Sequence, residues 1–581
     1  MGVTLHAEAD GGGASFRVWA PHVRAAAVEV NGGVRLPLQR DGDCWAARFA
    51  PGQLVAGAAY RVLLEGEDGQ TLPPRRDPYA RHTDFDSAWC YVDNAAAFDW
   101  RHPWEPLPFD EYLIYEMHVG SFTPEGTFAA AAARLGHVAG AGFTAVQLMP
   151  ITEHSDAWGY NPRQLLAVHG AYGTPDELRS LVDTAHSLGL AVILDVVLHH
   201  GAPEGNELWE YDGWGPGYAH GGIYHEHAPD TTWGRNFAFW KTEVTDMLRD
   251  ACASWLGDFR VDGLRFDSAN DLPPQTVQAL TWAMRERFPG RILTAEVTPE
   301  NPMSVHELGF DSVWVHSGYF DIIQQHRALG RGHHGGGDWA EGWNLPRLRT
   351  VMGLHYGFTA PTQCIKYLLG SHDQVGCSKG GAWYEDYAYI GGQHRYAVDQ
   401  YGGGRGDPHA RASARLWYTA NVAAAGLPMI FMGTEFAQSG WWNTDEWHRL
   451  QWEQAEDEIG RQMLALFRDA NALRRQFPAL RRGGVSILHE DRPNGVMAFD
   501  RTDGLERLVT VVNAGRSSFQ GGEYGCWVGG GSFTEVFSSQ DAAYGGWEGV
   551  RTNAGGVLHS HDSKLWINLP GQTTLVFKQE A

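Results

Sequence analysis

Three acidic residues stand in three settings midway along the chain: Asp267 in Arg265-Phe266-Asp267, Glu296 in Thr294-Ala295-Glu296-Val297, and Asp373 in Ser371-His372-Asp373-Gln374. Each closes a short apolar run of the kind that forms a buried parallel strand. Two carboxyl groups on adjacent strand ends suit glycosidic cleavage with retention. One attacks as an ionised nucleophile, and the other, roughly 5–5.5 Å away, protonates the departing oxygen. Arg265 lies two residues before Asp267 and so shares its face of the strand. A cation there would hold Asp267 ionised, whereas Glu296 needs an upward shift to carry a proton at neutral pH. Asp373 would hold sugar hydroxyls and help distort the ring, with His372 donating to another hydroxyl.

Singly, these residues have plainer readings. An Arg-x-Asp at a strand end is more often a structural ion pair, a glutamate after an apolar run is more often a loop carboxylate, and Asp195 alone would cap the next helix. Their order along one series of strands favours catalysis.

That series begins near Tyr112 and alternates strands with helices. The predicted strands are 113–117, 145–149, 191–197, 263–266, 292–296, 312–315, 367–370 and 429–432, with helices over 127–139 and 175–188. Eight strands in βα alternation predict an α/β fold, a closed (β/α)8 TIM barrel whose chemistry sits at the C-terminal strand ends. Short β-type runs with hairpin turns precede it and return after it, so the barrel is flanked by an N-terminal and a C-terminal β-sandwich. The expected division is 1–108, 109–482 with a Gly- and His-rich insertion over 201–236, and 483–581; the Pro-rich stretch 103–108 reads as a linker.

The whole-chain properties narrow the partner. With 45 Lys and Arg against 69 Asp and Glu, the net charge of −24 argues against nucleic acid or an anionic membrane surface and for a neutral ligand. The 24 tryptophans offer flat apolar faces with a polar edge, which suit sugar rings. Six scattered cysteines predict reduced thiols in an intracellular protein, cytoplasmic or plastid, and the N-terminus carries no signal-peptide pattern. No cofactor is expected, because Gly402-Gly403-Gly404-Arg405-Gly406 lacks the Lys-Ser/Thr pair of a phosphate loop. No metal is expected either: His199-His200, His220 with His225 and His227, and His333-His334 lack the spacing of a ligand set. Oligomeric state is not legible.

The motifs Asp195-Val196-Val197-Leu198-His199-His200, Gly263-Leu264-Arg265-Phe266-Asp267, Glu296 and His372-Asp373 resemble the four recurrent motifs of the α-amylase superfamily of retaining α-glucan enzymes. The resemblance implies Asp267 as nucleophile, Glu296 as general acid/base and Asp373 as transition-state stabiliser. It also implies that Asp195, His200, Arg265 and His372 line the subsite of the cleaved sugar, with Tyr160 stacking beneath it. The segment 115–128 is similar to the barrel entry of both maltooligosyl-trehalose trehalohydrolases and bacterial branching enzymes. Segments 147–154, 172–175, 371–374, 432–436 and 536–547 resemble glycogen and starch branching enzymes, which implies a 1,4-α-glucan branching enzyme acting on amylose, glycogen or starch chains. Val297 stands where branching enzymes usually carry a second acid, and His199 where amylases commonly carry Asn. The alternatives are a trehalohydrolase or α-1,6 debranching hydrolase, and, in another class, a silent glucan-binding protein.

Overall fold

The structure, a computed structural model, describes residues 1–7, 12–84, 86–328, 343–355, 357–377, 394–547, 553 and 555–580. The His333-His334 pair lies outside the described residues.

Eight parallel strands form the centre: β1 (Ile114–Met117), β2 (Ala145–Leu148), β3 (Ala191–Val196), β4 (Gly263–Phe266), β5 (Ile292–Ala295), β6 (Ser312–Val315), β7 (Cys364–Lys366) and β8 (Leu427–Phe431). They pair in chain order and close into a barrel, with β8 returning to β1 through Met429 opposite Ile114. Every residue of β3 is buried, because helices cover the outside and side chains fill the inside; hence the run of apolar residues. The main outer helices are α1 (Phe128–Gly140), α2 (Pro175–Ser187), α3 (Thr242–Gly257), α4 (Pro274–Arg287), α5 (Pro408–Ala423) and α6 (Glu458–Gln476). Helix α2 starts where local chemistry dictates, with Thr174 and Glu177 capping each other's backbone N–H and Pro175 in the first turn.

The seventh strand departs from expectation. It occupies Cys364–Lys366, and the apolar run 367–370 that follows leads into a turn, with Gly370 at φ +97°. Lys366 is the reason this strand is hidden in the sequence. Its side chain is buried, and Nζ donates to the carbonyls of Val351 at 2.7 Å and Gly353 at 2.6 Å. A lysine satisfied by backbone carbonyls inside a barrel breaks the apolar pattern that marks a strand.

Before the barrel, a four-stranded sheet (Gly2–Leu5, Ala14–Trp19, Cys44–Phe49, Gln39–Asp41) faces a five-stranded one (Val34–Pro37, Val23–Val30, Ala59–Gly66, Cys90–Tyr91, His82–Thr83). Residues 103–108 have no regular structure but are docked on the barrel: Trp104 stacks on His186 at 4.5 Å and its Nε1 donates to Asp262 at 2.8 Å. After the barrel comes a six-stranded sheet built on Gly484–Asp491, Val496–Thr502, Arg507–Asn513, Thr573–Gln579, Ser532–Ser538 and Val557–His559. A separate antiparallel pair, Phe519–Trp527 with Lys564–Leu569, covers its core. All six cysteines are free and buried, and among the described residues no helix is long and apolar enough to cross a membrane.

Candidate active site

Strand register builds the site. Asp195 on β3 lies opposite Arg265 on β4, and Phe266 on β4 lies opposite Ala295 on β5, so Asp267 and Glu296 emerge side by side at the next level. The ladder runs on through them, with Asp267 N–H donating to Val196 O at 3.1 Å and Glu296 N–H to Phe266 O at 3.0 Å. Both carboxylates therefore sit at the C-terminal rim on rigid backbone.

Arg265 joins three acids. Its Nη1 donates to Asp195 Oδ2 at 2.5 Å and Asp267 Oδ1 at 2.7 Å, and its Nη2 to Glu296 Oε2 at 2.8 Å. The guanidinium is wholly buried, with its carbon 4.2 Å from the centre of the Trp314 ring, so the planar fork has one orientation. Ser268 N–H also donates to Glu296 Oε2, at 3.1 Å. The side chains of Asp267 and Glu296 are 13% and 18% exposed and that of Asp373 is 40% exposed, so a ligand in the barrel mouth reaches all three.

Burial, against the pull of Arg265 and aided by the charges of Glu296, Asp195 and Asp373, raises Asp267 well above the usual carboxylate range. Burial also pushes Glu296 up, but Arg265 outweighs it and holds that carboxyl below its ordinary value. Burial and the neighbouring acids thus make an ionised Asp267 costly, while Arg265 favours the ionised form of Glu296. The physical cause is that one guanidinium serves three carboxylates, and its Nη2 is committed to Glu296 alone.

Asp373 and His372 sit at the start of a one-turn helix, His372–Val375, whose Ser371 and Gln374 cap each other. His372 lies between two acids: Nδ1 is 2.7 Å from Glu116 Oε1 and Nε2 is 3.2 Å from Asp373 Oδ1. Desolvation opposes it, yet the two carboxylates raise His372 well above the usual histidine value, and the resulting imidazolium, again against desolvation, holds Asp373 below the carboxylate range. Tyr160 stacks on the His372 ring at 5.1 Å and donates its hydroxyl to Asp195 Oδ2 at 2.8 Å, while Asp195 Oδ1 is buried with no hydrogen-bond partner. His200 pairs with His199 at 2.8 Å, and His199 Nδ1 lies 3.9 Å from Asp267 Oδ2. Burial lowers the two rings to about 3 and about 4, so both are neutral near pH 7. All eight residues singled out in the sequence, Tyr160, Asp195, His200, Arg265, Asp267, Glu296, His372 and Asp373, thus belong to one constellation.

Two neighbours were not singled out. Glu116, on β1, holds His372, and His316, directly after β6, places Nε2 3.7 Å from Glu296 Oε1 while Nδ1 meets Tyr367 OH at 2.5 Å. The signals were a carboxylate inside an apolar strand and a histidine at a strand end. In the insertion, tertiary packing also brings His220, Glu226 and His227 within 4.8 Å of one another, a grouping their spacing does not announce. The Lys241 ammonium paired with Glu226 works against a cation there.

The model of the alpha amylase catalytic domain matches residues 116–212, and that of the alpha amylase C-terminal all-beta domain matches 487–580. A 1,4-alpha-glucan branching enzyme of Paramagnetospirillum magneticum is 30% identical over 98% of this chain and 80% of its own. The chain belongs to the α-amylase family. Other members are also similar: a malto-oligosyltrehalose trehalohydrolase of Deinococcus radiodurans is 29% identical over 63% of this chain and 62% of its own. The structure of an Anoxybacillus pullulanase complexed with maltotetraose superposes with a TM-score of 0.74 at 19% identity, covering 100% of this chain and 87% of that one. At that identity the likeness to the pullulanase is one of fold.

Proposed function

We propose that the protein is a 1,4-α-glucan branching enzyme. It cleaves α-1,4 bonds through a covalent glycosyl-enzyme and transfers the chain to a glucan 6-hydroxyl. The observation that carries the reading is the junction of Asp267 and Glu296 on the two terminal nitrogens of one buried guanidinium, with Asp373 facing the same mouth. The relative that spans nearly the whole chain supports branching over the other activities of the family.

On this reading Asp267 attacks the anomeric carbon while Glu296 protonates the departing oxygen. That division requires an ionised Asp267 and a protonated Glu296 when the sugar is bound, and both carboxyls accept from Arg265. Asp373 and the unpartnered Oδ1 of Asp195 accept from sugar hydroxyls, His372 donates, and Tyr160 and His200 line the same subsite. Glu296, having lost its proton, then takes one from the acceptor 6-hydroxyl. The division into 1–108, a β-sandwich of glycan-binding type, 109–482, the catalytic barrel, and 483–581, a C-terminal β-sandwich, belongs to the same proposal.

A second reading, trehalohydrolase, is favoured by the Deinococcus relative and by Val297, an apolar residue where branching enzymes usually carry a second acid. The test follows amylose by iodine absorbance, reducing ends and proton NMR of α-1,6 linkages. Branching yields α-1,6 signals and falling colour with little gain in reducing ends. Free trehalose from maltooligosyl-trehalose, with no new α-1,6 linkage from amylose, assigns the hydrolase. Wild type and Asp267→Asn equally inert on every α-glucan would remove the enzymatic reading altogether.

A further inference from the structure

In the C-terminal domain the antiparallel pair Phe519–Trp527 and Lys564–Leu569 presents two faces of opposite character. Tyr524, Cys526, Leu565 and Ile567 point inward and are buried in the domain core. The alternate residues point outward, and among them Trp527 is 46% exposed and Trp566 is 47% exposed. Gly525 lies opposite Trp566 and Trp527 lies opposite Lys564, so the two tryptophans are diagonal neighbours on one face, about 7–8 Å apart along the sheet.

Gly525 sets the pose of one indole. A Cβ at that position would meet three atoms of the Trp566 six-membered ring at 3.0, 3.1 and 3.2 Å, nearly equal distances, so the ring lies flat across the glycine with its other face outward. Lys564 Nζ stands 4.7 Å from the Trp527 ring centre, and the exposed Glu523 is two residues before Gly525 on the same side. A flat indole beside a second exposed one, flanked by a hydrogen-bond donor and an acceptor, is what the apolar face and rim hydroxyls of a sugar require.

We propose that this outward face is a second α-glucan-binding site, apart from the barrel mouth, which holds a polymer chain by stacking on Trp527 and Trp566 while Lys564 and Glu523 bond its hydroxyls. The exposed ring area by itself falls short of a stable protein interface. Two half-exposed indoles offer on the order of 200 Å2 of ring surface, against roughly 800 Å2 per partner in a stable protein interface. A net charge of −24 also opposes a second copy of the chain, whereas a neutral polysaccharide meets no such repulsion. The proposal takes its ligand from the α-glucan reading of the barrel.

The test is native electrophoresis in gels containing glycogen, with dextran gels as the control for linkage. Wild type, Trp527→Ala, Trp566→Ala and the double variant are compared with Gly525→Val, whose side chain displaces the Trp566 ring. Glycogen retards the wild type and dextran does not, while the double variant and Gly525→Val lose at least about tenfold in apparent affinity. An unchanged Tm shows that the variants are folded. Equal retardation of wild type and double variant overturns the proposal, as does a wild type that turns over amylose but is not retarded. A wild type retarded by glycogen through these tryptophans yet inert on every α-glucan would keep this site and remove the enzymatic reading; one that is neither retarded nor active removes both.

Discussion

Both carboxylate oxygens of Glu116 are occupied by one residue 256 positions away: Oε2 accepts from the backbone N–H of His372 at 2.9 Å and Oε1 meets its ring Nδ1 at 2.7 Å. Glu116 thereby fixes the position of His372 and, together with Asp373, raises its proton affinity. A raised histidine pKa contributes stability that is complete below about 6.5 and lost as the pH rises through the folded value. Glu116→Gln preserves the shape and removes the charge, so His372 loses its proton at a lower pH. We expect kcat/KM to fall roughly 10–100-fold, with the alkaline limb of its pH profile moved towards neutrality. An alkaline limb in the same place would show that Glu116 is structural only.

Asp267 is crowded by acids. Its folded pKa lies above the unfolded one, so its contribution to stability declines as the pH rises from about 3.9 through the folded value. Replacing it with Asn leaves Arg265 paired with Asp195 and Glu296 and removes one buried negative charge. Asp267→Asn should lower turnover by roughly 10^4-fold or more while stabilising the fold by about 1 kcal/mol at pH 7. Urea unfolding measures the second effect, and a clear destabilisation would contradict the charge argument.

Glu296 has a role that chemistry can replace. In Glu296→Gln, turnover of amylose should drop roughly 10^3-fold, but an α-glucosyl fluoride, whose leaving group needs no proton, should still form the glycosyl-enzyme. Added azide should then speed release and give an α-glucosyl azide. No rescue by azide would mean that Glu296 is not the acid/base.

Buried neutral histidines make the fold acid-sensitive. His118, His200 and His355 are lowered to about 3, and His154, His199 and His225 to about 4, each chiefly by burial. A depressed histidine contributes stability above about 6.5 that is lost as the pH falls towards the folded value, at most about 1.4 kcal/mol per pH unit for each ring. Tm should therefore fall steeply from pH 6.5 to pH 4. Both ring nitrogens of His355 are buried without hydrogen bonds, so His355→Leu should give a shallower fall. A flat Tm over that range would refute the argument.

The strands and the acids at their ends were legible because both signals are local. Burial on two faces demands runs such as Ala191–Val196, and a carboxylate directly after such a run has to stand on a barrel rim. Period and order along the chain therefore placed Asp267 and Glu296, whereas Asp373 stands on a one-turn helix beyond the run 367–370, which is not a strand. They failed at Cys364–Lys366, where Lys366 is neutralised in cost by the carbonyls of Val351 and Gly353, partners that no pattern around position 366 reveals.

The amino-acid sequence by itself determined the barrel, its flanking sheets and eight of the side chains that meet in its mouth. Only the tertiary structure decided how charge is shared among them. Arg265 divides between three acids on three strands, Glu116 reaches His372 across the barrel, and His316 approaches Glu296 from β6. Proton affinity at each carboxyl is a sum over charges and desolvation in space, and the terms come from segments hundreds of residues apart.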